Sequence, residues 1–298
     1  MLKIILVFTA AAMNAASKPM VALDCYHNNE SSPHYTWSLT AIGGFSQLGG
    51  IVLSLGGDTM SIKTVFDSVT LAPANMLIIV DPDTTTEAPS PKYLSTAEIN
   101  AVDSWVQRGG VLMLLTNNAG NCEFTHINEL GARFGIRFNA DTYGTIYDLT
   151  PLPVHPFFTG CDTLYIKDIS TLTLSSPATA VLTLGGKVLM ATSTQGAGTI
   201  FALGDPWLYN EYINSRDNFR SGTNIMQWLL AQVPSVTVRW NRPAVSNTRL
   251  TQSPRHKVIV APNGRKTGPE MTTGIFFEQS AGGIVKKQLL IGIRKNGK

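Results

Sequence analysis

A chain of 298 residues with 44% hydrophobic content can bury a full core, which excludes extended disorder over most of its length and fits one large domain or one domain with a small appendage. The net charge of +3 conceals a division: residues 239–298 hold 12 Lys/Arg against 2 Asp/Glu, leaving 11 against 18 in residues 1–238. A basic tail suits nucleic acid or an anionic surface, but its cations alternate with β-type apolar runs and the body carries no nucleic-acid motif, so no nucleic-acid partner is expected.

At the start, Lys3 precedes an apolar run from Ile4 to Met13 and the small residues Ala15, Ala16 and Ser17. This is the layout of a secretory signal peptide over residues 1–17, too short to remain in a bilayer as a spanning helix. The competing reading is a buried first strand, from which Pro19 separates the next apolar run. Export predicts a secreted or cell-surface protein and an oxidising compartment. Cys25 and Cys122 each follow a core strand, which admits a Cys25–Cys122 bridge and leaves Cys161 over.

Beyond the leader, Met20 to Tyr26 reads as a strand, and Leu39 to Leu55 has helix-spaced apolar positions weakened by the pairs Gly43-Gly44 and Gly49-Gly50. Strands are predicted at Met60 to Val65 and Met76 to Val80, with Thr84 to Tyr93 a surface loop. Ser95 and Glu98 have capping-box spacing, and Ile99, Val102, Trp105 and Val106 form an apolar stripe, so a helix runs from there to Gly109-Gly110. The strand Val111 to Leu115 and a helix from Glu123 to Phe134 follow. Shorter strands then cover Ile136 to Phe138, Leu164 to Ile169, Val181 to Leu184, Val188 to Thr192 and Thr199 to Leu203, and a last helix covers Gly222 to Gln232. Alternating strand and helix followed by hairpins predicts a three-layer α/β sheet with an antiparallel extension over residues 18–234. Residues 235–255 read as a linker. Residues 256–298, with strands at Lys257 to Val260, Gly274 to Glu278 and Val285 to Ile293, read as a small β module.

The chemistry gathers where apolar runs stop. The strand at Val21 runs into Asp24, Asn28, Asn29 and Glu30; that at Met76 into Asp81 and Asp83; that at Val111 into Asn117, Asn121 and Glu123. The strand at Thr199 runs into Asp205, Trp207, Tyr209, Asn210 and Glu211. Open α/β sheets bind ligands beyond the carboxyl ends of their strands, so these tips predict one shared crevice. Asp24, Glu30, Glu123, Asp205 and Glu211 are candidate acid/base carboxylates, a pair of which could flank a glycosidic bond; the competing use of such residues is to cap helices and set turns. Asn28, Asn29, Tyr35, Trp37, Asp81, Asp83, Asn117, Asn121, Trp207, Tyr209 and Asn210 are candidate ligand contacts. Ring faces beside amides and acids suit sugars, with core packing the alternative for Trp37 and Trp207. Acid and amide oxygens could also serve a divalent cation, but no ligand loop is present and the histidines lack zinc spacing, so neither metal nor cofactor is expected.

Residues 20–232 resemble the class I glutamine-amidotransferase-like, flavodoxin-type domain found fused behind unsaturated rhamnogalacturonyl hydrolases. The resemblance rests on Asp24 to Glu30, His34 to Trp37, Ile78 to Thr84, Trp105 to Leu112, Asn117 to Asn121, His155-Pro156 and Gly204 to Tyr212. It implies a flavodoxin-like sheet and an association with pectin-derived, rhamnogalacturonan-type glycans. The nucleophile of that class is not matched: the turn Asn117 to Cys122 sets no glycine beside a cysteine, and no later His-x-Glu pair serves it. The barrel hydrolase that accompanies such domains has no counterpart in these residues, which implies a separate glycoside hydrolase as partner. Residues 256–291 resemble the carboxy-terminal sorting module of type IX secretion substrates, through Lys257 to Val260, Asn263 to Lys266, Thr273 to Phe277 and Gly282 to Lys287; this implies the export machinery as a second partner. The expectation is an exported glycan-binding domain. Its alternatives are a hydrolase working through a strand-edge carboxylate pair and a non-catalytic scaffold.

Overall fold

A computed structural model describes residues 18–28 and 34–234, together with the backbone of four strands between residues 259 and 291. The chain divides into two compact units, Met1–Val238 and Arg239–Lys298.

The first unit is built on buried strands whose side chains alternate between two cores. Strands β1 (Met20–Asp24), β2 (Asp58–Ile62), β3 (Met76–Val80) and β4 (Val111–Leu115) pair in parallel. Met76, Ile78 and Val80 join one core while Leu77 and Ile79 join the other, the two-residue period expected of a sheet covered on both faces. Helix α1 (Ser46–Ser54) packs Leu48, Ile51 and Val52 into the first core. Helices α2 (Thr96–Gln107) and α3 (Phe124–Ala132) pack Ile99, Val102, Trp105, Ile127 and Leu130 into the second. This unit is therefore layered helix, sheet, helix.

Short antiparallel pieces follow: β5 (Ile136–Phe138), the separate hairpin β6 (Gly144–Leu149) and β7 (Leu164–Ile169), then β8 (Leu172–Leu174), β9 (Thr179–Leu184) and β10 (Lys187–Gln195). Strand β11 (Gly198–Leu203) returns parallel to β4, and helix α4 (Asn218–Ala231) closes the first core with Ile225, Met226 and Leu229. The main sheet runs β2-β1-β3-β4-β11-β10-β8-β5, with β9 on β10. Its five parallel strands follow the flavodoxin-like order 2-1-3-4-5, extended by an antiparallel flank. Gly204, straight after β11, passes so close to Ser170 that a Cβ would lie 2.0 Å from the Ser170 carbonyl oxygen. Only glycine lets the chain leave the sheet there.

Several predicted elements match residue for residue, including β3, β4, β5 and β7. The helix expected over Leu39 to Leu55 shortens to Ser46–Ser54, because Thr36 to Phe45 folds as a compact turn closed by Phe45 N–H donating to the Thr36 carbonyl. The strands β6 and β8 go beyond the predicted set; both are short and carry polar residues that mask alternation. The Cys25–Cys122 bridge that the sequence admits is not formed: all three cysteines are free. Cys25 continues β1, its amide donating to the Ile62 carbonyl on the β2 side, whereas Cys122 is buried in the turn before α3, where the next amide, Glu123, donates to the Pro82 carbonyl after β3. The predicted leader, residues 1–17, lies outside the described residues. Among the described residues no helix is long and apolar enough to cross a membrane.

The second unit holds a four-stranded antiparallel sheet ordered β13 (Lys266–Thr267), β12 (Ile259–Val260), β14 (Thr273–Gln279) and β15 (Val285–Ile291).

Candidate ligand-binding crevice

The strand ends of β3, β4 and β11 bring seven of the expected residues together. Tyr35, Asp81, Asn117, Asn121, Tyr209 and Glu211 line a cavity of about 250 Å³. Asn117, Asn121 and Tyr209 also line a smaller one of about 110 Å³, walled by Asp205, Lys167, Asp168 and Tyr212.

At the centre, Asp81 Oδ2 accepts from the Tyr35 hydroxyl at 2.9 Å and from Asn117 Nδ2 at 2.9 Å. Burial, with the Asp81 carboxylate next, pushes the Tyr35 phenol well above its usual range, so it stays a donor. Tyr35, Asp81 and Asp168 have φ of 44°, 45° and 50°. For Tyr35 that is a rarely occupied conformation, and three such residues bordering one crevice match the clustering of backbone strain at working sites.

Asp205 forms the floor of the smaller cavity and is only 2% exposed. It accepts from the Lys167 amide at 3.0 Å through Oδ2, and from the Trp207 amide. Burial, reinforced by Asp81 and Asp168 against those two amides, drives its carboxyl well above the normal carboxylate range. Burial thus favours its protonated form, while the two amide donors favour the anion.

The rim is aromatic. Tyr209 sits edge-on to Tyr35 and Tyr212 at 5.5 and 5.0 Å, and Glu211 accepts from the hydroxyls of Tyr209 at 3.2 Å and Tyr212 at 2.6 Å. Burial and the neighbouring phenol and acids hold Tyr209 protonated far above its normal range. Lys167 Nζ lies 5.5 Å from the Tyr212 ring centroid and hydrogen-bonds its hydroxyl, which raises the lysine further.

Other candidates are spent on local structure. Asp24 binds its own turn, accepting from the amides of Tyr26 and His27 at 3.0 and 3.2 Å, and meets His27 Nδ1 at 2.9 Å. Glu123 is the N-cap of α3, taking the amides of Thr125 and His126. Asn210 pins the turn before α1, donating to the Leu39 and Ala41 carbonyls and Ser46 Oγ while accepting from the Gln47 amide. Asn28 donates to the carbonyls of Val80 and Asp81, and Asp83 is buried with its amide on the His27 carbonyl. Trp37 donates to the Met60 carbonyl and packs in the core, where Trp207 is fully buried. Asn29 and Glu30 lie outside the described residues.

Lys167 and Asp168 are additions to the expected set, and Tyr212, Asn118, His34 and Glu87 also stand in the walls. Lys167 and Asp168 enter because β7 folds over the carboxyl end of β11, tied by the Ser170 amide to the Gly204 carbonyl at 3.0 Å. The strand was legible; its position over another strand's end was not. Cys122 is buried and its thiol is held well above its usual range by burial and the Asp81 charge, so it is an inert side chain and not a thiolate. Among the described residues no cluster of three His, Cys, Asp or Glu side chains is arranged to hold a metal ion.

The chain matches no protein-family model and no curated protein. Among solved structures, it is similar to the mmIFT52 N-terminal domain, at 19% identity and a TM-score of 0.56 over 70% of this chain and 96% of that one. It is similar to a cytoplasmic protein from Salmonella typhimurium LT2, at 9% identity and a TM-score of 0.54 over 72% of this chain and all of the other. A more distant likeness, at 12% identity and a TM-score of 0.43, is to a GMP synthase-type protein from Thermoplasma acidophilum, over 70% and 94% of the two chains. The likeness to the first two is one of fold, this chain's being a mixed α/β sheet of flavodoxin-like order.

Proposed function

We propose that the crevice is a glycan-recognition site, reading a pectin-derived sugar through hydroxyl contacts and performing no amidotransferase chemistry. One observation carries this reading: Asp205, 2% exposed, lines a polar cavity with backbone amides as its described partners, so a sugar hydroxyl entering there meets a carboxyl that burial biases toward its protonated form. Asn117, Asn121 and Lys167 add polar groups around the same space, and the half-buried Tyr209 ring lines both cavities as an apolar surface for a pyranose. Cavities of this size suit one or two sugar rings and are smaller than a drug-sized pocket.

The protein acts outside the cell in this reading, with residues 1–17 as a cleaved leader, residues 256–298 as a sorting module and a separate glycoside hydrolase supplying the cleavage. Mass determination of the mature chain would show whether its first residue lies near Ala16 or Ser17.

Hydrolysis is the second reading, because burial biases Asp205 toward the protonated form a general acid needs and Glu211 stands on the adjoining wall. The two are separated by mixing the full chain with pectic oligosaccharides and following heat of binding and new reducing ends together. Binding without new ends is expected; new ends abolished by Asp205→Asn would establish the hydrolase, and no binding at any concentration would remove both.

A further inference from the structure

The aromatic rim does not stop at the cavity. Tyr212, on its wall, is 5.2 Å ring to ring from Tyr165 of β7, and Tyr165 is 5.5 Å from Tyr147 of β6. Tyr165 and Lys167 stand two apart on one strand and so share a face, which places the platform and the cation at the crevice mouth on one surface. Tyr147 is 65% exposed, and neither its hydroxyl nor that of Tyr165 has a hydrogen-bond partner among the described residues. The hairpin's apolar side is already satisfied by Ile166, Ile169, Leu164 and Leu149 in the core, so folding does not require an aromatic ring at position 147. Ring-to-ring steps of this length are comparable to the spacing of successive sugars in a chain, and the tilts of 42° and 59° follow a twisting chain better than a flat one.

We propose that Tyr165 and Tyr147 form an outer sugar subsite continuous with the crevice, so that the ligand is an oligosaccharide whose end enters the cavity and whose next units stack on the β6–β7 hairpin. This rests on the glycan-recognition reading and adds chain length and direction to it.

The test is calorimetric titration of the full chain with neutral β-1,4-galactan oligomers and with oligogalacturonides of two to six units, alongside Tyr147→Ala. Affinity should rise about tenfold as the oligomer lengthens past the cavity, the size expected of aromatic stacking. Tyr147→Ala should flatten that rise while leaving the shortest bound oligomer and the melting temperature unchanged. A length profile identical in wild type and variant would overturn the subsite and leave the crevice reading standing. Self-association lost in Tyr147→Ala, with no length dependence, would assign the patch to a protein partner and also overturn it. No binding of either series at any length would remove the crevice reading and this one together.

Discussion

Asp24 and Asp205 each stand at the end of a buried strand, and their donor sets separate them. Asp24 is enclosed by amides of its own turn and by an imidazole. Asp205 meets two amides and a cavity. Because burial raises Asp205 above its unfolded value, its favourable contribution to folding is present below the ordinary carboxylate range, about 3.9, and is lost as pH rises through the folded value. Burial favours the protonated carboxyl, of which an amide is an isostere. Asp205→Asn should therefore bind oligosaccharide within about threefold of wild type, whereas Asp205→Val should lose about tenfold, one hydrogen bond's worth. Denaturation at pH 4 and pH 8 should show the Asn variant gaining on wild type at the higher pH; an equal loss at both would mark Asp205 as a structural cap. Asn210 makes the opposite case. With its amide pinning Leu39, Ala41, Ser46 and Gln47, Asn210→Ala should cost about 3 kcal/mol in chemical denaturation. Nothing in its sequence neighbourhood distinguished it from a ligand contact, since the groups it holds lie far earlier in the chain.

At the level of elements, what was legible depended on whether the signal was local. The capping box at Ser95 and Glu98 is present as read, and the strands β3 and β4 have unbroken apolar runs that no other element could use. Glu98 nonetheless has a second role that no pattern announced. Its Oε1 meets His27 Nε2 at 3.1 Å and accepts from the Phe66 amide, so the imidazole is gripped between Asp24 and Glu98 and ties the turn after β1 to the start of α2. Burial opposes charge on His27, but the two carboxylates prevail and raise it to about 9. Glu98, despite burial, is drawn down to about 2 by His27 and Ser95. The histidine's contribution is complete below about 6.5 and lost as pH rises through about 9. That of Glu98 is complete above about 4.3 and lost as pH falls through about 2. Stability should plateau between these limits. His27→Gln, which strands two buried carboxylates, should cost about 3–5 kcal/mol at pH 6 and abolish the decline between pH 6.5 and 9 in urea titrations; a wild-type midpoint flat to pH 10 would show the imidazole to be neutral.

For the whole molecule, layer architecture was readable because helices α2 and α3 carry a clear apolar stripe and the parallel strands unbroken apolar runs, while the crevice was readable only as a location. Its membership depended on which loops the antiparallel flank folds across β11, a long-range outcome with no local signature. The charge division has a clearer consequence. Every described residue lining the crevice belongs to the unit Met1–Val238, whose two cores are built from both faces of one sheet. The unit Arg239–Lys298 has four strands and 12 Lys/Arg against 2 Asp/Glu, too short a chain to bury a core of comparable worth. Ending the chain after Val238 should therefore leave the oligosaccharide affinity within about twofold, the tolerance expected when none of the described lining residues is removed. The separate segment 239–298 should show no cooperative unfolding transition of its own. Loss of affinity in the shortened chain with its midpoint preserved would mean that the basic unit supplies part of the binding surface, and the crevice would then have to be redrawn to include it.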